Sequence, residues 1–307
     1  MKRLYVTHKT NYSFEAGPLS GLQQIKKTPY SDSCQMVSDW ALSLKGAKEE
    51  LSFIDSFNNN VHLIRIEPRT KCLVIECEGH VEVTDNFGIR GYETSAIPLW
   101  VWTEQTNITK PGSTIRKLVK GLSLRDNISD FHKLMELINR SLDFEKNITD
   151  FTTTAEAAFK SGYGVCQDFT NILIQLCRIA EIPTRYVSGY VFAAGRFRGA
   201  SATHAWVEVY IPNYGWLGLD PTNNCIADIY HIRLAVGRNY GDCSPVKGVY
   251  KGNETQIMKV NVVLDTKKIK SKDEVIFENS SSSTLSKEED NSSNSFQKHL
   301  QMMQQQQ

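Results

Sequence analysis

The chain has 307 residues, with 35 Lys plus Arg against 34 Asp plus Glu and a net charge of +1. That length suits one large domain or two ordinary ones, and the near-neutral balance removes any global electrostatic reason to bind nucleic acid or an acidic membrane. Hydrophobic residues are 40% and charged ones 22%, a globular composition with no stretch near the ~18 apolar residues of a membrane-spanning helix, and Met1-Lys-Arg-Leu-Tyr-Val-Thr-His has no apolar run behind its charges, unlike a secretory signal.

Residues 1–105 read as β. Strands are expected at Arg3–Thr7, Val61–Glu67, Cys72–Cys77 and Val81–Asp85, with turn material at Asn58–Asn60 and Pro68. Several short strands with few helical signals predict a sandwich-like N-terminal domain that supports the rest or recognises substrate. Residues 106–266 read as a second domain. Its helices are expected over Ile115–Leu122, from Ser129-Asp130 onward, over Thr154–Lys160, and from Cys166 to Ala180. In the last of these Phe169, Ile172, Leu173, Leu176, Cys177 and Ala180 fall on one face. Pro183 ends it, and strands are expected at Thr184–Phe192, His204–Ile211, Trp216–Asp220 and His231–Val236. Residues 267–307, rich in Lys, Glu, Ser and Asn and ending in four Gln, read as a mostly disordered tail.

The seven cysteines are Cys34, Cys72, Cys77, Cys166, Cys177, Cys225 and Cys243. An odd number at irregular spacing argues against a disulfide framework and for a reducing, cytoplasmic location. No pair has zinc-knuckle spacing. Cys72 and Cys77 are five apart in a strand and face opposite sides. His204, Asp220, Cys225, Asp228 and His231 form a loose metal-type set with no recognised ligand spacing, so neither a metal nor another cofactor is expected.

Cys166 follows Gly162-Tyr163-Gly164-Val165 at the first turn of the periodic helix. Unpaired N–H groups there favour a thiolate, and the Cys166 N–H is a candidate oxyanion donor. The glycines are expected to let the backbone approach a substrate. Helix position alone leaves Cys166 evenly divided between nucleophile and small core residue, so a partner base must decide.

Thr203–Ile211 alternates with period two. Ala205, Val207, Val209 and Ile211 share the aliphatic face, and His204, Trp206, Glu208 and Tyr210 the other. Pro212-Asn213-Tyr214-Gly215 is turn chemistry. In Trp216–Asp220, Leu217 and Leu219 alternate with Trp216, Gly218 and Asp220. A hairpin of these two strands keeps its core only if Val207 opposes Leu217 or Leu219. The first register sets Asp220 across from His204; the second sets it across from Trp206 and diagonal to His204. Both place a carboxylate beside the imidazole, fixing one ring nitrogen and leaving the other as base. Asp220 precedes Pro221 and has a competing reading as the start of a turn.

These segments resemble the transglutaminase-like superfamily. The resemblance rests on Gly164–Phe169, Ile182–Tyr190, His204–Val209, Gly215–Thr222 and Arg238–Val246, and covers about residues 155–250. The β-rich first hundred residues resemble the N-terminal region of a bacterial subgroup whose members are often labelled cysteine proteases. The resemblance implies an α+β fold: a papain-like core with a Cys-bearing helix on an antiparallel sheet, preceded by the β-sandwich-like domain. It implies Cys166 as nucleophile, His204 as base and Asp220 as acid. Thr203 and Asn239 stand where Ser and Asp are frequent, and no Ca²⁺-ligand cluster is visible. The expected activity is acyl transfer through a thioester on a peptide or protein substrate, with hydrolysis favoured over amine transfer. The alternative is a non-catalytic binding module on the same fold. Tyr163 and Trp206, with Tyr190 and Trp216, are candidate groove residues. Neither nucleic acid nor membrane is expected as a partner, and the oligomeric state is not legible.

Overall fold

The computed structural model of the protein describes residues 1–93, 97–120, 127–193, 202–252 and 256–266; the segment expected as a tail lies outside them. Seven strands come first: β1 (Lys2–Phe14), β2 (Ser20–Ile25), β3 (Gln35–Lys45), β4 (Ala47–Ile54), β5 (Asn60–Ile66), β6 (Cys72–Val83) and β7 (Ile89–Gly91). The helical region holds α1 (Ser113–Lys120), α2 (Ile128–Ser141), β8 (Asp143–Phe144), α3 (Ala155–Ser161), β9 (Tyr163–Gly164) and α4 (Cys166–Ile179). Then come β10 (Thr184–Val191), β11 (Ala202–Ile211), β12 (Gly215–Asp220), β13 (Cys225–Ile226) and β14 (His231–Gly237). A short α5 (Tyr240–Cys243), β15 (Val246–Lys251) and β16 (Gln256–Asp265) follow.

The expected sandwich is present. Two four-stranded sheets, ordered β16-β1-β6-β3 and β15-β2-β5-β4, enclose Tyr12, Phe14, Ile25, Ile64, Ile66 and Leu73. Strand β6 shows why: Leu73, Ile75, Cys77, Val81 and Val83 are buried on one side while Cys72 is exposed. The sequence reading missed β2, β3 and β4. Strand β4 is an edge strand whose residues are exposed on both faces after Ala47, so Lys48-Glu49-Glu50 carries no alternation to detect.

Strands pair across the expected boundary between residues 105 and 106. Strand β16 pairs along β1 from Tyr5↔Asp265 to Phe14↔Gln256, and β15 pairs with β2 from Val246↔Ile25 to Lys251↔Ser20. In the opposite direction β7 pairs with β12. Strands are thus exchanged both ways across the boundary, and periodicity within one strand cannot reveal which sheet it joins.

The second layer pair is α4 on the sheet β13-β12-β11-β10-β14. Phe169, Ile172, Leu173 and Leu176 are fully buried and belong to one core with Val207, Val209, Leu217 and Leu219. Each contributes roughly 1.5–3 kcal/mol by burial, which fixes α4 and therefore its first residue. The sheet's other face is also covered. Leu4, Val6 and Val81 of the sandwich meet Tyr190, Ile232 and Leu234, and Val187, Trp206 and Val236 form a smaller cluster. Glu208 is fully buried there. It accepts from Arg185 Nε at 2.6 Å and from Arg233 Nη1 at 3.3 Å. Arg233 also donates to Glu93 at 2.8 Å and to Asp32 at 2.7 Å, and Arg90 pairs with Asp32. The non-aliphatic face of β11 is therefore an ion-paired interface with the sandwich.

Candidate active site

Helix α3 ends at Gly162, whose φ of +76° is the left-handed cap conformation, with its N–H on Ala158 O at 3.1 Å. A Cβ at Gly164 would stand 2.7 Å from the Asp168 Cβ. Both glycines thus serve the turn, rather than opening the backbone to a substrate as the sequence suggested. Asp168 folds back so that its Oδ2 accepts the Val165 N–H at 2.8 Å and the Thr149 hydroxyl at 2.6 Å. This is half of a capping box. Burial pushes the Asp168 carboxyl up to about 6, against those two hydrogen bonds. The result is a braced helix start with Cys166 as its first residue, 2% exposed.

The hairpin takes the second of the two permitted registers, Val207↔Leu219 and Val209↔Leu217. Asp220 therefore stands diagonal to His204. His204 Nε2 lies 2.8 Å from Asp220 Oδ2. That leaves Nδ1 for the sulfur, and Cys166 is near enough to His204 to favour the charged imidazole. Asp220 is fully buried. Its Oδ1 accepts the N–H groups of Thr222 at 3.0 Å and Asn223 at 3.1 Å, and its Oδ2 also accepts Asn223 Nδ2 at 2.7 Å. One Asp220 oxygen organises the turn and the other meets the imidazole. Burial opposes charge on each partner, but the pair overrides it. Asp220, then Cys166, raise His204 to about 10, and the two histidines hold the Asp220 carboxyl well below the usual carboxylate range.

Residues 116–221 match the transglutaminase-like superfamily and residues 4–82 match the bacterial transglutaminase-like N-terminal region. Residues 116–221 are thus a transglutaminase-like core, preceded by a bacterial transglutaminase-like N-terminal region. The chain is 28% identical over 289 residues to an uncharacterized protein of Mycobacterium tuberculosis, covering 85% of this chain and 91% of that one. A protein-glutamine gamma-glutamyltransferase of Pseudomonas aeruginosa is 36% identical over 70 residues, which is 21% of this chain and 10% of that enzyme. Among solved structures, a candidate cysteine protease from Cytophaga hutchinsonii superimposes with a TM-score of 0.66 at 18% identity, covering 85% of this chain and 90% of that one. The fold is shared with that structure. No helix among the described residues is long and apolar enough to cross a membrane.

The other expected residues of this transglutaminase-like core separate clearly. Tyr163, in β9 three residues before Cys166, is 41% exposed. Trp206 is 1% exposed, stacked on His204 with ring centroids 6.3 Å apart, and its ring lies over Gly189, where a Cβ would approach to 2.4 Å. It supports the imidazole from beneath rather than lining an open groove. Tyr190 is buried with its hydroxyl 2.7 Å from His8 Nδ1, and Trp216 packs against Trp102 under the Arg185 guanidinium. Of the two, Tyr190 faces the sandwich.

Of the loose metal-type set, His204, Asp220 and His231 converge, with ligand atoms within 4.8 Å of one another. Both Nε2 atoms lie at hydrogen-bond distance from one carboxylate oxygen, 2.8 and 3.2 Å, and Asn223 donates to it too. Filled donor positions describe a proton-sharing cluster better than a cation cage. Asp228 contacts His231 and Cys225 pairs with Asp220 only along the backbone. Sequence reasoning missed the parts played by Asp168, Asn223 and His231. Only Asp168 left a local signal, as the acidic residue three after the helix cap.

Proposed function

We propose that the protein is a cysteine-dependent acyl transferase acting through a thioester, with Cys166 as nucleophile, His204 as general acid and base, and Asp220 as the group that orients and charges the imidazole. The observation that carries this reading is the His204 Nε2 to Asp220 Oδ2 contact of 2.8 Å beside a thiol at a helix start. In the first half-reaction the Cys166 sulfur attacks a carboxamide or peptide carbonyl. The Cys166 N–H faces the developing oxyanion, and protonated His204 gives its proton to the departing amine. In the second, His204 removes a proton from water or an amine as it attacks the thioester, and the thiolate leaves. The substrate is a peptide or protein.

Hydrolysis is the favoured outcome, because diverting a thioester to an amine requires excluding ~55 M water from the site. The test incubates the full chain with glutamine-containing peptides in ¹⁸O-water, with and without a primary amine. Label in a new carboxylate, by deamidation or cleavage, with none from Cys166→Ala, supports hydrolysis. A dominant amine adduct reassigns the activity to transfer. Neither product, across amide and peptide libraries, favours the non-catalytic module.

A further inference from the structure

Two imidazoles share the single oxygen Asp220 Oδ2. His204 reaches it from β11, and His231, at the start of β14, reaches it with Nε2 at 3.2 Å. His231 is 2% exposed, and Trp206 lies edge-on to its ring at 5.3 Å. The Asp228 N–H points at His231 Nδ1 at 3.1 Å. Asp228 Oδ1 lies 3.1 Å from the same nitrogen, so the Nε2 proton is assigned by Asp220 Oδ2, a carboxylate oxygen that needs a donor and lies 3.2 Å from Nε2.

We propose that His231 is a positioning residue that donates its Nε2–H to Asp220, withdrawing part of the carboxylate's charge from His204 so that the imidazolium can release its proton to a leaving amine. This rests on the reaction proposed above. The physical need is clear: a buried imidazolium held by an undivided carboxylate grips its proton too tightly to act as an acid near neutral pH. Three further donors, the Thr222 and Asn223 N–H groups and Asn223 Nδ2, keep Asp220 in place. Removing His231 therefore changes the carboxylate's charge sharing more than its position. The ionisable groups facing His231 are Asp220 from β12, His204 from β11 and Asp228 from the turn before β14. Arg90 and Glu208 line the adjoining crevice with it.

The test is a ¹³C-histidine NMR titration of His204 on the Cys166→Ala chain, so that the sulfur does not titrate with it. It compares His231, His231→Phe and His231→Gln, with Tm as a control for folding. Phe fills the ring's space without a donor; Gln keeps an N–H for Asp220. The expected result is a His204 midpoint raised by about one pH unit in His231→Phe and restored to within about 0.3 unit in His231→Gln. An unchanged or lowered midpoint in His231→Phe, or an equal rise in His231→Gln, overturns the inference. A lower Tm with no midpoint change assigns His231 a structural role only and overturns it as well. Since thiol chemistry plays no part in this readout, its failure is distinct from failure of the acyl-transfer reading.

Discussion

Asp220→Asn keeps the shape of the side chain and the oxygen that accepts from Thr222 and Asn223, but sets an NH₂ where Oδ2 receives His204, His231 and Asn223. Donors then face donors. His204 escapes by moving its remaining proton to Nδ1, toward Cys166, which is the wrong tautomer for a base. The raise of His204 from 6.5 to about 10 corresponds to on the order of 5 kcal/mol at 1.36 kcal/mol per pH unit. Most of that is lost with the charge, while burial continues to disfavour the imidazolium. The ultraviolet absorbance of the thiolate, taken against Cys166→Ala, should be present at pH 6 in wild type and absent in Asp220→Asn. Turnover should fall by roughly 10³–10⁴-fold. Stability carries a second signature. His204's raised value contributes fully below pH 6.5 and is lost as pH climbs through about 10; Asp220's lowered value contributes above 3.8 and is lost as pH falls below it. The wild-type advantage over the variant should therefore be greatest between pH 3.8 and 6.5. A variant that retains the pH 6 thiolate, or turns over within threefold of wild type, refutes the pairing.

Other substitutions test the frame around the site. Asp168 has a raised folded value, about 6 against 3.8, so its contribution is present below pH 3.8 and lost as pH rises through 6. Denaturant titrations should show Asp168→Asn gaining on wild type by up to roughly 3 kcal/mol between pH 3.5 and 7. Gly189→Ala drives a methyl to 2.4 Å from the Trp206 ring and 2.2 Å from the Ile232 carbonyl. It should cost about 1–3 kcal/mol or more in chemical unfolding and disturb the support under His204. Arg233→Met leaves the buried Glu208 and the half-buried Glu93 and Asp32 with Arg185 and Arg90 as their remaining partners, and a loss of up to about 3–5 kcal/mol is expected by the same assay. Chelators should leave Cys166 alkylation unchanged; a loss restored by added metal would contradict the proton-sharing reading of the histidine cluster.

The candidate site was readable in the sequence because its geometry is local. One helical face placed Cys166, and a single hairpin with two allowed registers placed His204 and Asp220; the structure chose between the registers. The covering of the sheet was not readable. Alternation in β11 identifies the aliphatic side, but not that Trp206 and Glu208 on the other side meet the sandwich. The partners of Glu208, at Arg185 and Arg233, lie 23 and 25 residues away, and Glu93 and Asp32 are more distant still. The return of β15 and β16 to the first domain was hidden for the same reason. His231 was seen only as a stray metal-type residue, because its contact with Asp220 depends on the path of the 221–230 turn.

The most direct measurement of the central claim compares Cys166 with Cys72 in one alkylation experiment, mapped by mass spectrometry from pH 5 to 8. Cys72 is exposed and Cys166 is 2% exposed, so accessibility alone predicts that Cys72 reacts first at every pH. A thiol of ordinary pKa near 8.5 is only ~0.3% ionised at pH 6 and loses tenfold per further pH unit. A histidine-paired thiolate keeps its rate. Cys166 should overtake Cys72 as pH falls, with a nearly flat profile that His204→Ala converts to the ordinary slope. Parallel profiles with Cys72 ahead throughout would contradict it.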